Sequence, residues 1–98
     1  MDYIIENEYL KVTVTTSGAQ IKSVIRKCDG AEHMWQADPE VWGNSAPILF
    51  PHCGRLLDGK FIAKGETYET NLGHGFARLM EHTFVYQNKD TLVLQLTD

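Results

Sequence analysis

Apolar and polar residues alternate along much of this chain with the two-residue period of a β-strand. The clearest case is the stretch 10–15, Leu-Lys-Val-Thr-Val-Thr, whose pattern is typical of a strand with one buried face. Residues 20–27 are rich in β-branched side chains and predict a second strand. The pair Asp29-Gly30 favours a tight hairpin turn, and a third short strand is expected over residues 33–36. The first third of the chain is therefore predicted to be a β-meander.

Prolines interrupt the middle of the chain. Asp38-Pro39-Glu40 has the composition of a helix start, with aspartate as the cap and proline in the first turn. This predicts one short helical turn that ends near Trp42. The segment 46–51 is apolar and has a proline near each end. Because proline cannot donate to a sheet ladder, we expect this segment to be a buried extended crossing or an edge segment.

The second half of the chain returns to strand patterns. Residues 60–62 and 66–70 flank Lys64-Gly65 and predict a hairpin. Residues 82–87 alternate again, and a last strand would present an apolar face made of Leu92, Leu94 and Leu96. No window of eleven or more residues has a helical period. The predicted fold class is therefore all-β, an antiparallel β-sandwich with at most one short helical turn.

Size and charge exclude several classes of protein. The chain has 98 residues, enough for a single domain over residues 1–98, and a net charge of −4. No basic stripe suggests a nucleic-acid partner, and no apolar run approaches the roughly 18 residues of a membrane span. The start, Met1-Asp2-Tyr3, lacks the pattern of a secretory signal. We therefore expect a cytoplasmic protein with neither a nucleic-acid nor a membrane partner.

The two cysteines do not predict a metal or redox site. Cys28 and Cys53 form no C-x-x-C pattern, so both are expected to be reduced structural thiols. His52 and Cys53 are adjacent, and adjacent side chains of an extended segment point to opposite faces. We expect no metal site.

The stretch 71–78, Asn-Leu-Gly-His-Gly-Phe-Ala-Arg, has the most distinctive chemistry in the chain. It places an imidazole, His74, four residues before a guanidinium, Arg78, with a glycine on each side of the histidine. Glycine permits unusual backbone angles and the close approach of a ligand. The stretch is consistent with a site for a polar ligand and also with an ordinary buried turn.

Several segments occur together in an order and spacing known from one family. They are Leu10 to Val14, Gly18-Ala19-Gln20-Ile21, Trp35-Gln36-Ala37-Asp38-Pro39, Trp42, Ala46-Pro47-Ile48-Leu49-Phe50-Pro51, Gly54-Arg55-Leu56 and His74-Gly75-Phe76-Ala77-Arg78. In this combination the chain resembles the N-terminal part of the aldose 1-epimerase (galactose mutarotase-like) family, most closely its bacterial LacX-like branch. The chain would be the N-terminal fragment of a larger mutarotase-like sandwich domain.

The resemblance implies a β-supersandwich with an open sugar-binding cleft. It implies an isomerase that interconverts the α and β anomers of an aldose without a cofactor. A basic carboxylate removes the proton of the anomeric hydroxyl while an acidic imidazole protonates the ring oxygen. In the family, that glutamate and that histidine lie downstream of the part that this chain resembles. The chain is thus expected to carry sugar-contact residues, and its catalytic residues are unknown.

Three residues are the expected contacts to a hexose or hexose phosphate. Arg55 would be a donor fork for sugar hydroxyls, or else a surface arginine that closes a turn. His74 would bind the sugar near its ring oxygen or anomeric end, or else be satisfied by backbone groups. Arg78 would recognise a phosphate, as arginines near the cleft do in relatives that act on hexose 6-phosphates, or else form a salt bridge to Glu81.

Alternatives remain at the level of the residue and of the protein. Phe76, Trp35 and Trp42 could stack on a sugar, but aromatic residues of a small β-protein are expected in the core. The protein could be a hexose-6-phosphate 1-epimerase-like enzyme, a non-catalytic carbohydrate-binding module, or a structural remnant that binds nothing. The last strand runs to Asp98 without a closing turn, and its unpaired edge predicts a homo-oligomer.

Overall fold

The computed structural model describes residues 1–69 and 73–97 of the chain. Eight strands form its regular structure: β1 (Asp2–Glu6), β2 (Leu10–Thr15), β3 (Gln20–Arg26), β4 (Ala31–Glu32), β5 (Lys60–Ala63), β6 (Glu66–Glu69), β7 (Thr83–Gln87) and β8 (Leu92–Gln95). The helical structure of these residues is limited to two 3-10 turns, Leu57–Gly59 and Ala77–Leu79, and the predicted all-β class is confirmed. Thr70, which ends the predicted strand 66–70, lies outside the described residues, as do Asn71, Leu72 and Asp98.

Strands β1 to β4 form one antiparallel sheet in that order. β2 and β3 confirm the predicted strands over 10–15 and 20–27. The strand predicted over residues 33–36 is wrong, because the ladder with β3 ends at Glu32. There the Glu32 carboxylate replaces a backbone acceptor: Val24 N–H donates to its Oε2 at 2.8 Å, and so does His33 N–H at 3.1 Å. A side chain that binds nearby amides in this way competes with sheet pairing.

The first strand has no counterpart among the predicted strands. Tyr3-Ile4-Ile5 is a run of apolar residues, so the alternation that marks a strand is missing. β1 forms because β2 offers it an edge, along which Tyr3 lies opposite Val14. The Tyr3 ring also stacks on Phe84 with centroids 5.0 Å apart. Contacts far apart in sequence therefore define this strand.

Two hairpins form the rest of the regular structure, and both agree with the predicted strands. β5 pairs with β6, and the turn residues Lys64 and Gly65 have φ of 50° and 78°, as in the tight turns that match strand twist. β7 pairs with β8. The predicted apolar face is confirmed, because Leu92, Leu94 and Leu96 are half-buried while the residues between them are exposed.

Where the sequence predicts a helical turn after Asp38, the structure has a hydrogen-bonded turn that is not part of a helix. The Asp38 carbonyl accepts from the amides of Val41 at 3.0 Å and Trp42 at 2.8 Å, and its Oδ1 accepts from Glu40 N–H at 3.0 Å. Trp35 donates its indole N–H to the Trp42 carbonyl at 2.8 Å. Both tryptophans lie at the surface, 44% and 49% exposed, because this turn packs outside the sheet. The expectation that they belong to the core is wrong.

The segment 46–51 lies outside the named strands, and its Ile48, Leu49 and Phe50 are exposed, so the expected alternative of a buried crossing is wrong. Phe50 forms an isolated parallel bridge with Gly75, and its carbonyl oxygen accepts from Ala77 N–H at 3.2 Å. Phe76 is half-buried and packs edge-on against Phe50, with ring centroids 6.1 Å apart. This segment therefore supports one side of the loop that carries His74.

The first sheet supports the other side of that loop. Gly18 N–H donates to the Met80 carbonyl at 2.7 Å, and His82 N–H donates to the Thr16 carbonyl at 2.7 Å. A Cβ on Gly18 would lie 2.4 Å from the carbonyl oxygen of Arg78. Only glycine permits this approach, so the loop is held between the meander and segment 46–51.

Few apolar side chains are buried. Among the described residues the buried hydrophobic ones are Val14 and Ala77, whereas twenty large hydrophobic side chains are exposed. An open cleft of about 440 Å³ is lined mainly by apolar side chains, among them Ile48, Phe50, Phe76, Leu94 and Leu96. In the part of the chain that the structure describes, no helix is long and apolar enough to cross a membrane.

Candidate functional site

His74 occupies a strained position between two glycines. Its φ is 63° and that of Gly75 is 76°, a left-handed conformation that is uncommon for a residue with a Cβ. A Cβ on Gly75 would lie 2.1 Å from the carbonyl oxygen of Phe50, so no other residue fits there without displacing the backbone. Of the two glycines beside His74, Gly75 is therefore the one that close packing requires.

A reciprocal pair of hydrogen bonds fixes His74 to Gly54. His74 N–H donates to the Gly54 carbonyl at 2.7 Å. In return, Gly54 N–H donates to His74 Nδ1 at 2.7 Å. The imidazole is exposed to solvent while one of its nitrogens is bound to the backbone. This combination fixes the orientation of a ring that belongs to an exposed residue.

The Gly54 carbonyl also faces a second histidine. His52 Nδ1 lies 3.1 Å from it, so the backbone of Gly54 contacts two imidazoles, one through its N–H and one through its C=O. His52 Nε2 is buried and has no hydrogen-bond partner in the described structure. Gly54 has φ of 74°, which places its N–H and C=O where both histidines can reach them.

Arg55 lies beside the His74 loop. It follows Gly54 directly, and its Cγ is the atom nearest to a Cβ built on Gly73, at 3.8 Å. Its side chain is exposed. The structure therefore places Arg55 next to the loop that carries His74; that both residues belong to one binding site stays a prediction.

Arg78 contacts the loop directly. Its Nε and Nη2 both donate to the Gly73 carbonyl, at 3.1 and 3.0 Å, and its side chain is half-buried. Among the ion pairs of the described residues, none joins Arg78 to Glu81. The Glu81 carboxylate instead accepts a short hydrogen bond from the Thr16 hydroxyl. The expected alternative of an Arg78–Glu81 salt bridge is therefore absent from the structure.

A polar cleft opens on the other side of Arg78. Its volume is about 400 Å³, and its walls include Lys22, Asn44, Ser45 and Arg78. Gln20 closes one wall, because its Oε1 accepts from Ser45 N–H at 2.5 Å, Ser45 Oγ at 3.1 Å and Ala46 N–H at 3.0 Å. Gln20 belongs to a family-like motif, but its structural role could not be inferred without knowing that residue 45 lies near it.

The carboxylates whose pKa is shifted lie away from His74 and Arg78. The Lys27 ammonium lowers the pKa of Glu6, the Arg26 guanidinium lowers the pKa of Asp29, and the Ser23 hydroxyl lowers the pKa of Glu32. All three carboxylates belong to the first sheet and its turns. Across residues 1–69 and 73–97, no three His, Cys, Asp or Glu side chains converge on a point where a metal ion could bind.

Comparison with known proteins identifies the family. Residues 1–98 match the family model described as aldose 1-epimerase. The chain belongs to the aldose 1-epimerase family. The predicted family resemblance is thus confirmed, and with it the assignment of the strands to a mutarotase-like fold.

Individual relatives show how much of the family domain is covered. The chain is 40% identical over 96 residues to the plasmid and chromosomal LacX proteins of Lactococcus lactis subsp. lactis, covering 94% of this chain and 32% of theirs. It superposes on a galactose mutarotase related enzyme from Lactobacillus acidophilus with a TM-score of 0.90 and 43% identity, over 100% of this chain and 32% of that one. A galactose mutarotase-like protein from Lactobacillus casei gives 0.86 and 29%, over 96% and 32%. The chain thus spans about a third of these relatives.

Proposed function

We propose that this chain forms the sugar-binding wall of an aldose 1-epimerase, in which Arg55, His74 and Arg78 contact the substrate. The observation that carries the proposal is the reciprocal His74–Gly54 hydrogen-bond pair. It holds an exposed imidazole in one orientation beside an exposed guanidinium, in a chain of the aldose 1-epimerase family. A hydroxyl-rich ligand is bound by such fixed donors.

The reaction is the interconversion of α and β anomers of an aldose by general acid–base catalysis. A carboxylate base takes the proton of the anomeric hydroxyl, the ring C–O bond breaks, and an acid protonates the ring oxygen. After rotation about C1–C2 the same steps in reverse close the ring on the other face of the carbonyl. This chain's share is binding and orientation, and the general base and acid belong to family positions beyond those matched by its 98 residues.

A phosphorylated hexose is the second candidate ligand. The observation that favours it is the polar cleft beside Arg78, which has both Arg78 and Lys22 in its walls. A guanidinium and an ammonium are the groups that bind phosphate in proteins. In this alternative the sugar ring contacts Arg55 and His74 while its phosphate lies toward Arg78.

Polarimetry and NMR together test the proposal. Fresh α-galactose is followed by optical rotation with and without the protein, and the labelled protein is titrated with glucose, galactose and glucose 6-phosphate. We expect shifts at Arg55, His74 and Arg78, with none at His33 as a distant control. Rotation that relaxes at the buffer rate while those shifts appear would make the chain a non-catalytic carbohydrate-binding module. Absence of shifts at high millimolar sugar contradicts the sugar-site proposal itself.

The open edge of β8 and the two free cysteines suggest an oligomeric state and a cellular compartment. β8 pairs only with β7 in the described structure, and an open strand edge favours pairing with another chain. We therefore propose a homo-oligomer formed through β8. Cys28 and Cys53 are free and exposed, which fits a reducing compartment such as the cytoplasm.

A further inference from the structure

The hydrogen bonds of His74 permit only one tautomer of its neutral ring. Gly54 N–H can only donate, so His74 Nδ1, at 2.7 Å, must accept with its lone pair. A neutral imidazole carries one N–H, and the proton must then reside on Nε2. Gly54 thereby determines which chemical group His74 presents to the solvent.

His52 and His82 have the opposite hydrogen-bond arrangement. His52 Nδ1 lies 3.1 Å from the Gly54 carbonyl, and His82 Nδ1 lies 3.0 Å from the Met80 carbonyl. A carbonyl oxygen can only accept, so in these residues Nδ1 carries the proton. Gly54 contacts one ring of each tautomer: its N–H binds Nδ1 of His74, and its C=O faces Nδ1 of His52.

We propose that Gly54 and Arg78 are positioning residues that keep the neutral His74 ring in its Nε2–H tautomer, so that the residue offers a hydrogen-bond donor to the ligand of the proposed sugar site. The ligand part of this inference rests on the proposed sugar site. The ring oxygen of an aldopyranose has lone pairs and no hydrogen, so it requires a donor. A neutral Nε2–H has no lone pair with which to remove a proton, so His74 holds the oxygen and leaves proton removal to another group.

Arg78 acts through the backbone of the loop. Its Nε and Nη2 both bind the Gly73 carbonyl, which belongs to the peptide unit that enters His74. Gly73 has no side chain to restrict that peptide, and His74 is held in a left-handed conformation with φ of 63°. The two bonds from Arg78 prevent rotation of the peptide and thereby keep Nδ1 directed at Gly54.

NMR of the histidine rings in the sugar-free protein tests the positioning. Two-bond proton–nitrogen correlations from the ring C–H groups distinguish the tautomers, and pH 8.5 keeps an ordinary imidazole, with a pKa of about 6.5, neutral. We expect the Nε2–H pattern for His74 and the Nδ1–H pattern for His52 and His82. An Nδ1–H or averaged pattern for His74 in the unmodified protein would overturn the proposal.

Substitutions separate positioning from folding. Arg78→Gln should convert the His74 pattern to an average of both tautomers, while unchanged patterns of His52 and His82 report an intact fold. Arg78→Lys, which can still donate to the Gly73 carbonyl, should restore most of the single-tautomer pattern. Arg26→Gln, at the exposed end of β3, is the matched control and should leave all the histidine patterns unchanged. A His74 pattern that survives Arg78→Gln contradicts the role of Arg78.

Sugar addition tests the donor role separately. With galactose, the Nε2 nitrogen of His74 should shift while Nδ1 stays hydrogen-bonded to Gly54. Shifts at Arg55 without any at His74 Nε2 would overturn the donor role and leave the sugar site standing. Absence of shifts at all three proposed contacts refutes the sugar site and the donor role together, whereas the tautomer pattern alone decides the positioning.

Discussion

Gly54 and His74 exchange two hydrogen bonds of 2.7 Å, one from each backbone amide. One ends on a carbonyl and the other on a ring nitrogen, so the pair fixes both the chain direction and the rotation of the imidazole. Residues twenty positions apart thereby act as one unit. This unit depends on Gly54 and Gly75. Both have a positive φ, and Gly75 in addition has no room for a side chain, so substitution by alanine tests each property.

Three glycine-to-alanine substitutions should have graded effects on stability. Gly75→Ala combines a φ of 76° with a Cβ 2.1 Å from Phe50 O, and should destabilise by about 2–5 kcal/mol. Gly54→Ala has a φ of 74° but open space around its Cβ, and should cost about 1–2 kcal/mol. Gly43→Ala has neither constraint and is the control. Urea unfolding gives the order, and equal midpoints for the three variants would contradict it.

Gln20 should stabilise the wall of the polar cleft. Gln20→Ala removes the acceptor of three hydrogen bonds from Ser45 and Ala46. The partly buried backbone amides of these two residues then lose their acceptor. The expected loss is about 1–3 kcal/mol, measured by urea unfolding. Gln95→Ala, on the exposed face of β8, is the matched control. If both variants unfold at the same urea concentration as the unmodified protein, Gln20 does not hold this segment.

Asp29 should stabilise the folded protein to an extent that depends on pH. The Arg26 guanidinium holds the pKa of its carboxyl below the ordinary 3.8. Because the folded pKa is the lower one, the stabilisation is present above pH 3.8 and is lost as the pH falls through the folded pKa. Carboxyl NMR should show the Asp29 pKa rising in Arg26→Gln. Glu6, which pairs with Lys27, should keep its pKa, and a shift of both carboxyls would point to a general unfolding instead.

Arg55 should matter for sugar binding through its shape as well as its charge. Arg55→Lys keeps the positive charge and loses the planar fork of donors. Loss of charge-assisted hydrogen bonds of about 1.5–3 kcal/mol corresponds to an affinity about 10–150-fold weaker, read from an NMR titration with galactose. Lys60→Gln, in the exposed hairpin, should bind as the unmodified protein does. An unchanged affinity of Arg55→Lys would exclude a forked contact.

The edge of β8 should mediate self-association. Light scattering is expected to show a mass that increases with concentration, because an unpaired edge pairs with another copy. Leu94→Lys places a charge on the apolar face of that strand and should shift the protein toward the monomer. Thr91→Lys, just before the strand, is the control. A monomer at every concentration would rule out this partner.

The strands whose sequences alternate apolar and polar residues, such as β2, could be predicted from the sequence. In β8 the burial follows the same two-residue period, because half-buried and exposed residues alternate along it. β1 was not accessible, because Tyr3-Ile4-Ile5 has no alternation and its place is set by β2 and Phe84. The strand expected over residues 33–36 failed for a local reason, namely the capture of the Val24 amide by Glu32.

The site was accessible in part. His74 and Arg55 attract attention by their glycine neighbours, and the structure brings them together. The role of Gly54 was hidden, since its partner lies twenty residues away and both bonds start from the backbone. The same holds for Arg78, whose bonds to Gly73 depend on the loop path rather than on residue type. Whether these side chains bind sugar remains a prediction.

The burial pattern also bears on how the protein behaves in bulk. Val14 and Ala77 are the buried apolar residues of the described chain, and twenty large apolar side chains are exposed to water. Exposed apolar patches of this kind mark interaction sites or aggregation liabilities. Aggregation of the isolated chain should therefore rise steeply with its concentration.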